Sequence, residues 1–483
     1  MKLDKLVAGA PSIEITGVTA DSRKVKPGYL FAALQGVAKD GRDYIDTAIK
    51  AGAVAVLTDN RPGEWSVSAV KSMEPRLALA TAAAAFYPRQ PQTVAAVTGT
   101  NGKSSTVDFL RQIWAHMGRK AASMGTLGAI GPSGRVDLGH TTPDPVAIHE
   151  TLDKLAGEGV THAAMEASSH GLAQYRLHGV KLAAGAFTNL TQDHLDYHTD
   201  FDDYRRAKMK LFSELLPKGA PAVINADSPE LEAFEAAAIT AGLKLFTVGW
   251  RGRDLRISEA LPRGTGQELV IQWGEGPSAG NERKVHLPLI GEFQALNALC
   301  AAGIAMALGD DVNQVLDGLQ ILTGVHGRLE LVGQTATKAP VFVDYAHTPD
   351  GLNMLLRAAR PHVRGKLIVV FGCGGDRDAT KRPIMGDVAR RLADEVIVTD
   401  DNPRSEDPAK IRAAIRSGAP DASEIGDRAT AIMEGIRRLK AGDALLIAGK
   451  GHETGQIVKG VTIPFSDFDV ARDALKEAGG SHV

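Results

Sequence analysis

The segment VAAVTGTNGKSS, residues 94–105, carries glycine, lysine and serine in the spacing of a phosphate-binding loop. The usual pattern is G-x-x-x-x-G-K-[ST], and Val97 stands where its first glycine belongs. The compact form G-x-x-G-K-S, from Gly99 to Ser104, is intact. Lys103 would reach the terminal phosphates and Ser104 would hold Mg²⁺. A strand before the loop and a helix after it favour a phosphate site over a plain glycine turn.

A magnesium nucleotide site also needs a carboxylate. Glu166 ends the apolar segment HAAME (162–166), where the end of a strand would face the loop; the alternative is an exposed glutamate at a strand end. The segment NLTQDHLDYH (189–198) is dense in aspartate and histidine. His194 could ligate a metal there, although most histidines in polar loops do not.

The segment YRRAKMKLF (204–212) places a lysine in the middle of an apolar helical stripe. The stripe consists of Tyr204, Ala207, Leu211 and Phe212. Lys208 either extends its ammonium to solvent along this face or is buried and used. Burial favours the neutral amine, which can react with CO₂ to give an anionic, Mg²⁺-compatible carbamate.

Charged, glycine-rich segments follow three predicted strands in the last third of the chain. They are FGCGGDRD (371–378), TDDNPRSED (399–407) and AGKGHETGQ (448–456). Together they offer Arg377, Asp401, Asn402, Arg404 and Glu453. Loops at the ends of parallel strands converge, and this set of side chains suits a zwitterion, because arginine pairs with a carboxylate and carboxylates receive an ammonium. The alternative is a set of turns with solvated charges.

Alternating strands and helices must position these segments, which predicts an α/β fold of three domains. The predicted domains are an N-terminal domain (1–88), a central P-loop ATPase-like domain with a parallel sheet (89–327) and a C-terminal Rossmann-like domain (328–483). We expect helices at 104–116 and 293–308, and strands at 162–166, 184–190 and 220–225. In the last third, strands alternate with helices that begin at Pro349 and Pro408 or lie near 383–393 and 428–439.

Composition excludes several classes of protein. The chain has 483 residues, 44% of them hydrophobic and 23% charged, and a net charge of −2. This balance gives no reason to expect nucleic acid or a membrane as a partner. Only Cys300 and Cys373 are present, without metal-type spacing, and we find no signal-peptide-like start and no long apolar run. Two lone cysteines in a chain of this length fit a reducing cytoplasm, so we expect a cytoplasmic protein.

Further motifs occur in a characteristic order along nearly the whole chain. They are DSR (21–23), DGRDYI (40–45), TGTNGKSS, HTTPDP (140–145), MEASSHGLAQYR (165–176), TNLTQDHLDYH, YRRAKMKLF, GRLE (327–330), VDYAHTPDGL (343–352), FGCGGDRD, TDDNPR and GKGHE. In this order and spacing they resemble the Mur ligase family, the ATP-dependent amide ligases that build the peptidoglycan stem peptide. The short loop at 99–104 is similar to the ATP loop of that family.

The resemblance implies a role for each matching residue. The implied ATP-binding residues are Gly99, Thr100, Asn101, Gly102, Lys103, Ser104, Ser105 and Asn297, with Arg328 and Asp344 from the third domain. The implied catalytic residues are Lys103, Glu166, His194 and Lys208. Ser104 and Glu166 would hold one Mg²⁺ and His194 a second, and Lys208, modified to a carbamate, would be a further metal ligand.

The resemblance also implies two further substrate sites. The UDP-sugar site would comprise Ala20, Ser22, Thr141, Thr142, Ser168, Gln174 and Arg176. The amino-acid site would comprise Arg377, Asp401, Asn402, Pro403, Arg404, Gly449 and Glu453.

The expected reaction joins an amino acid to the D-glutamyl γ-carboxylate of UDP-N-acetylmuramoyl-L-Ala-D-Glu through an acyl phosphate, using ATP and Mg²⁺. meso-Diaminopimelate has a second carboxylate that lysine lacks, and Arg404 with Arg377 supplies the matching cation, so we expect diaminopimelate. The alternatives within the family are a lysine-adding ligase and, further off, a folylpolyglutamate-type synthase. A P-loop kinase or NTPase switch and a non-catalytic nucleotide-binding protein are the alternatives outside it. We expect a monomer.

Overall fold

A computed structural model of the chain describes residues 1–36, 39–191, 197–274 and 280–482, with the backbone alone at residue 482. It divides into two compact units. The first consists of Met1–Arg256, Trp273–Asn281 and Asn297–Gly318, and the second of Ile257–Gln272, Glu282–Leu296 and Leu319–Val483. In the described part of the chain, no helix is long and apolar enough to cross a membrane.

The N-terminal region forms a four-stranded parallel sheet. Its strands, in spatial order, are β1 (Gly17–Thr19), β2 (Tyr29–Ala32), β3 (Ala53–Thr58) and β4 (Ser68–Lys71). Its helices are α1 (Ile45–Lys50) and α2 (Pro75–Phe86). Pro75 occupies the first turn of α2, where a missing N–H costs nothing, and four small or aliphatic side chains of the alanine-rich run are buried.

The central region contains strands of a larger sheet. They are β5 (Thr93–Thr98), β6 (Ala121–Gly125), β7 (Gly128–Gly131), β8 (Gly134–Val136), β9 (His162–Glu166), β10 (Leu182–Phe187), β11 (Pro221–Asn225), β12 (Lys244–Gly249), β13 (Leu255–Arg263), β14 (Gly266–Trp273) and β15 (Asn281–Leu287). The spatial order is β15-β14-β13-β12-β11-β10-β5-β9-β6-β7-β8. From β12 to β6 all pairs are parallel, so β5, β9 and β10 end at one edge.

The helices of this region position the predicted site segments. They are α3 (Lys103–His116), α4 (Pro145–Gly157), α5 (Ser169–Ala173), α6 (Phe201–Lys210), α7 (Leu231–Thr240), α8 (Glu292–Ala307) and α9 (Val312–Leu319). A π-helical turn, Leu211–Leu215, continues α6. Asp144 and Asp200 cap α4 and α6 by accepting backbone N–H bonds. The helices predicted at 104–116 and 293–308 are confirmed as α3 and α8, each beginning one residue earlier.

The C-terminal region forms a seven-stranded sheet and a separate hairpin. The strands are β16 (Glu330–Gln334), β17 (Pro340–Asp344), β18 (Leu367–Phe371), β19 (Glu395–Val398), β20 (Ser423–Glu424), β21 (Ala444–Ala448), the hairpin β22 (Gly455–Val458) and β23 (Val461–Pro464), and β24 (Ser481–His482). The helices are α10 (Pro349–Ala359), α11 (Lys381–Leu392), α12 (Pro408–Arg416), α13 (Arg428–Arg438) and α14 (Asp467–Glu477). The sheet order is β20-β19-β18-β21-β17-β16-β24, parallel from β20 to β17.

Both faces of this sheet are covered, which explains its continuous apolar strands. In β18, Val369 and Phe371 pack into a core with α10 and α11, while Ile368 and Val370 pack into a second core with α13 and α14. Alternate side chains point to opposite faces, so a strand between two helical layers must be apolar throughout. The predicted strand–helix alternation of this region is confirmed.

The predicted domain boundaries fall in connecting segments. Residue 88 lies between α2 and β5, and residue 327 lies between α9 and β16. The boundaries themselves stay predictions.

Candidate active site

The phosphate loop connects β5 to α3 and is fixed by the residues after β10. The backbone carbonyl of Asn189 accepts a hydrogen bond from the Thr100 N–H at 2.8 Å, and its side-chain oxygen accepts one from the Asn101 N–H at 2.9 Å. Gly102 precedes the helix with φ +86°, and a Cβ there would overlap Asn297 Oδ1. Only glycine adopts this conformation and approach without strain. The loop therefore presents the N-terminus of α3 in the way that an anion requires.

Two lysines meet at the carbonyl of Gly99. Lys103 Nζ donates to it at 2.9 Å, and Lys208 Nζ donates to it at 2.7 Å. Lys208 is 1% exposed and lies 4.5 Å from the ring centroid of Tyr204, whose hydroxyl is 3.1 Å from Thr100 Oγ1. Lys208 is thus buried at the loop and does not extend to solvent. Two ammonium groups beside one glycine-rich loop favour a polyanionic ligand.

Ser104 and Glu166 place a hydroxyl and a carboxylate side by side. Ser104 Oγ donates to Glu166 Oε1 at 2.8 Å, and the backbone N–H of Thr126 donates to the same oxygen at 2.8 Å. Glu166 is 2% exposed at the end of β9. No group of three or more His, Cys, Asp or Glu side chains that could hold a metal lies within the described ranges. His194 falls outside them.

This oxygen pair fits Mg²⁺. The ion prefers hard oxygen ligands and is commonly held by one or two protein groups together with water and substrate phosphates. One hydroxyl and one carboxylate beside a phosphate loop supply that arrangement.

Several residues predicted for the UDP-sugar lie in one hydrogen-bonded group next to Glu166. Thr142 Oγ1 donates to the carbonyl of Glu166 at 2.9 Å and accepts the Ser168 N–H at 3.0 Å. Arg176 donates to the carbonyl of Thr142 and, at 2.8 Å, to Gln174 Oε1. Thr141 is linked to the group through Thr126. The Thr141 hydroxyl lies 2.9 Å from Thr126 Oγ1, and Thr126 Oγ1 donates to Glu166 Oε2 at 3.3 Å.

Ala20 and Ser22 lie apart from this group in the hydrogen-bond pattern. Ala20 follows β1, and Ser22 begins a short 3₁₀ turn that Asp21 caps by accepting the Arg23 N–H. Neither residue hydrogen-bonds to the Thr142 group within the part of the chain that the structure describes.

Arg328 and Asp344 are neighbours in the second unit. The two oxygens of Asp344 accept the N–H groups of Leu329 and Ala346, both at 2.7 Å. Burial raises the pKa of the Asp344 carboxyl, and the Arg328 charge and these two N–H groups oppose the rise. The Arg328 guanidinium lies 4.7 Å from the ring centroid of Tyr345. Asn297, the other predicted nucleotide contact, lies beside Gly102 in the first unit.

The three charged segments of the second unit converge, as predicted. They follow β18, β19 and β21, which are adjacent in the sheet. Asn402 Nδ2 donates to Glu453 Oε2 at 2.9 Å, and Arg404 Nη1 donates to the carbonyl of Gly375 at 2.8 Å. Gly449, with φ +118°, allows the Asp401 carboxylate to approach, because a Cβ there would lie 2.6 Å from Asp401 Oδ2.

Other predicted members of this site differ in their surroundings. Pro403 is buried, whereas the Arg377 side chain is exposed. Arg404 itself has φ +52°, and the hairpin holds it: its N–H donates to the carbonyl of Ile457 at 2.9 Å, and its carbonyl accepts the Lys459 N–H at 2.7 Å. Arg404, predicted for the amino-acid site, is thus held by a hairpin that the sequence did not predict.

Two residues of this region, Lys450 and Tyr345, were not predicted from the sequence. Lys450 is fully buried and contacts both Asn402 and Glu453; its position inside the GKGHE motif was the available signal. Tyr345 lies among the same charges: burial, and then the Glu453 and Asp401 carboxylates, raise the pKa of its phenol. The sequence around Tyr345, VDYAH, contains nothing that marks this tyrosine as a member of the site.

Comparison with known proteins agrees with this geometry. Three family descriptions match the chain: "Mur ligase family, catalytic domain" at residues 14–98, "Mur ligase middle domain" at 97–305, and "Mur ligase, glutamate ligase domain" at 327–451.

Individual proteins match over the full length. The chain is 52% identical to the UDP-N-acetylmuramoyl-L-alanyl-D-glutamate–2,6-diaminopimelate ligase of Agrobacterium fabrum over 479 residues, covering 99% of this chain and 96% of that protein. It is 52% identical to the protein of the same name from Bradyrhizobium diazoefficiens, covering 96% and 95%. A solved structure of a ligase of that name superposes with a TM-score of 0.74 at 32% identity, covering all of both chains. By this similarity, by its three-domain α/β architecture and by its nucleotide-loop geometry, the chain belongs to the Mur ligase family of ATP-dependent ligases.

Proposed function

We propose that this chain joins meso-2,6-diaminopimelate to the D-glutamyl γ-carboxylate of UDP-N-acetylmuramoyl-L-Ala-D-Glu at the expense of ATP, in peptidoglycan precursor synthesis. The observation that carries the proposal is the cluster of Asp401, Asn402, Arg404 and Glu453, in which cation and carboxylates suit a zwitterion. The names of relatives that are 52% identical support it. The proposed enzyme is a cytoplasmic monomer.

In the first half-reaction, the γ-carboxylate attacks the terminal phosphorus of ATP, giving an acyl phosphate and ADP. The backbone N–H groups after Gly102 and the Lys103 ammonium would neutralise charge on the transferred phosphoryl group. One Mg²⁺ held by Ser104 and Glu166, and a second held by His194, would stabilise the same charge as Lewis acids.

Lys208 would take part as a carbamate. Its neutral amine adds to CO₂, a nitrogen–carbon bond forms, and a proton leaves to solvent, so the buried cation becomes an anion. Its burial at the loop, beside the Gly99 carbonyl and the Tyr204 ring, supports this role, because the modified side chain would lie next to the phosphates. The resulting anion is a ligand that Mg²⁺ accepts.

In the second half-reaction, one ammonium of the amino acid loses a proton to solvent and its amine attacks the carbonyl carbon of the acyl phosphate; the C–N bond forms, the C–O bond to phosphate breaks, and the nitrogen releases a second proton. Glu453 and Asp401 would receive ammonium groups of the incoming amino acid, and Arg404 would pair with its far carboxylate. L-Lysine would leave Arg404 without that partner. An unpaired arginine in such a site costs about 2–5 kcal/mol, which corresponds to discrimination of roughly 30-fold to several thousand-fold.

The test is phosphate release from ATP with the UDP-linked dipeptide, comparing meso-diaminopimelate with L-lysine. We expect release with diaminopimelate and little with lysine. Arg404→Gln should remove most of that preference, and Arg364→Gln, at an exposed arginine of the same unit, should leave it unchanged.

Other outcomes identify the alternatives. A preference for lysine would keep the reaction and overturn the assigned amino acid. Release that needs no amino acid would indicate a kinase or NTPase switch, and release with a folate and glutamate would indicate a folylpolyglutamate-type synthase.

A further inference from the structure

Lys450 is a fully buried lysine within the proposed amino-acid site. Its side chain is 0% exposed, and its Nζ donates to Asn402 Oδ1 at 3.0 Å and to Glu453 Oε2 at 2.9 Å. Asn402 Nδ2 closes the triangle by donating to the same Glu453 oxygen at 2.9 Å. A buried ammonium is costly unless it is paired and hydrogen-bonded, and here one carboxylate and one amide provide both.

The triangle fixes which way the Asn402 amide faces. Its Oδ1 is met by two groups that can only donate, the Lys450 ammonium and, at 3.0 Å, the N–H of Ile457. The amide must therefore direct Nδ2 toward Glu453. Because Ile457 belongs to β22, the same contact ties the amide to the hairpin that holds Arg404.

The triangle also fixes the Glu453 carboxylate. One oxygen, Oε2, accepts from both Lys450 and Asn402, whereas Oε1 has no hydrogen-bond partner within the described part of the chain. The Glu453 side chain is 32% exposed, although the lysine behind it is not exposed at all. The buried Lys450 and Asn402 thus fix Glu453 Oε2 and leave Oε1 accessible for a ligand.

We infer that Lys450 is a positioning residue for the incoming amino acid: it orients the Glu453 carboxylate and the Asn402 amide, without touching the substrate. The inference rests on the proposed function, because it assigns these two residues to the amino-acid site. Loss of Lys450 weakens capture of the amino acid and leaves the nucleotide and UDP-sugar steps unchanged.

The experiment measures the three KM values of Lys450→Met in the phosphate-release assay. We expect the KM for diaminopimelate to rise about tenfold or more, since hydrogen bonds to charged groups are lost, and the KM values for ATP and the UDP-linked dipeptide to stay within about twofold. Lys410→Met, at an exposed lysine on α12, is the matched control and should behave as wild type. Lys450→Gln keeps an amide donor and serves if the methionine variant does not fold; its amino-acid KM should rise by less.

A double variant separates positioning from a general loss of stability. In Glu453→Gln the acceptor is already altered, so adding Lys450→Met should raise the amino-acid KM by much less than it does in wild type. An unchanged amino-acid KM in a folded Lys450 variant, equal increases in all three KM values, or additive effects in the double variant would each overturn the inference. Failure of wild type to release phosphate with any amino acid would instead reject the proposed function.

Discussion

Replacing Gly102 by alanine perturbs the nucleotide loop in a way that can be worked out from its geometry. The residue has φ +86°, and a left-handed conformation costs an L-residue roughly 1–2 kcal/mol. The new Cβ would also overlap Asn297 Oδ1, and turning that side chain off its rotamer costs about 0.5–1.5 kcal/mol. The sum, about 1.5–3.5 kcal/mol, corresponds to a factor of roughly 10 to several hundred.

The cost must appear in one of two measurable quantities. If the loop keeps its shape, the free energy of unfolding falls by that amount; if the loop relaxes, kcat/KM for ATP falls by the corresponding factor. Denaturant unfolding and steady-state kinetics with ATP varied measure both on the same preparation. Gly118→Ala, beyond the other end of α3, is the matched control: it has φ +77° and open space around the Cβ position, so it should lose stability with an unchanged KM for ATP.

The overlap can be separated from the backbone strain by a double-mutant cycle. Asn297→Ala removes the atom that the new Cβ meets, so Gly102→Ala should cost about 0.5–1.5 kcal/mol less in that background. If Gly102→Ala matches wild type in both stability and kcat/KM for ATP, the loop is not held as described and the reasoning is refuted.

Three further predictions concern other parts of the molecule. Glu166→Gln should lower phosphate release about 100-fold or more and shift its Mg²⁺ dependence to higher concentration, because the carboxylate proposed to hold Mg²⁺ is lost; an unchanged Mg²⁺ titration contradicts the proposed metal site. Arg428→Met should lower the free energy of unfolding by about 3–5 kcal/mol, since it leaves the Asp467 carboxylate buried and unpaired, and adding Asp467→Leu should recover most of the loss. Burial raises the pKa of Cys300 and Cys373 to about 12, so native protein at pH 8 should resist a thiol reagent and react at both thiols only on unfolding; rapid labelling of native protein contradicts this.

Much of the fold followed from local pattern. The strand ending at Glu166 and the helix after the loop were predictable because an apolar run and a glycine turn leave few alternatives. The burial of Lys208 was one of two readings of its stripe, and the structure resolves it because α6 packs that face inward. The convergence of the charged segments followed from the parallel βαβ order alone.

What the sequence did not reveal are contacts between distant residues. The Arg428–Asp467 pair joins positions at the starts of α13 and α14, and no periodicity links them. The hairpin that holds Arg404 begins with the last two residues of the motif AGKGHETGQ, and its two strands of four residues each are too short to show a clear alternation of polar and apolar residues. Arg377 matches a family position, but its exposure depends on how the turn projects, which spacing does not determine.

The meeting of three segments at one end of the C-terminal sheet has an evolutionary consequence. Apart from Phe371, Ala448, Gly455 and Gln456, which belong to strands, residues 371–378, 399–407 and 448–456 lie between the strands, so their sequences can change while the sheet beneath persists. Changes in these segments can alter the proposed amino-acid site while the loop at 99–104 and Glu166, in the other unit, keep their sequence. Grafting the three together, as one module, is therefore the natural way to test whether they set substrate choice among relatives.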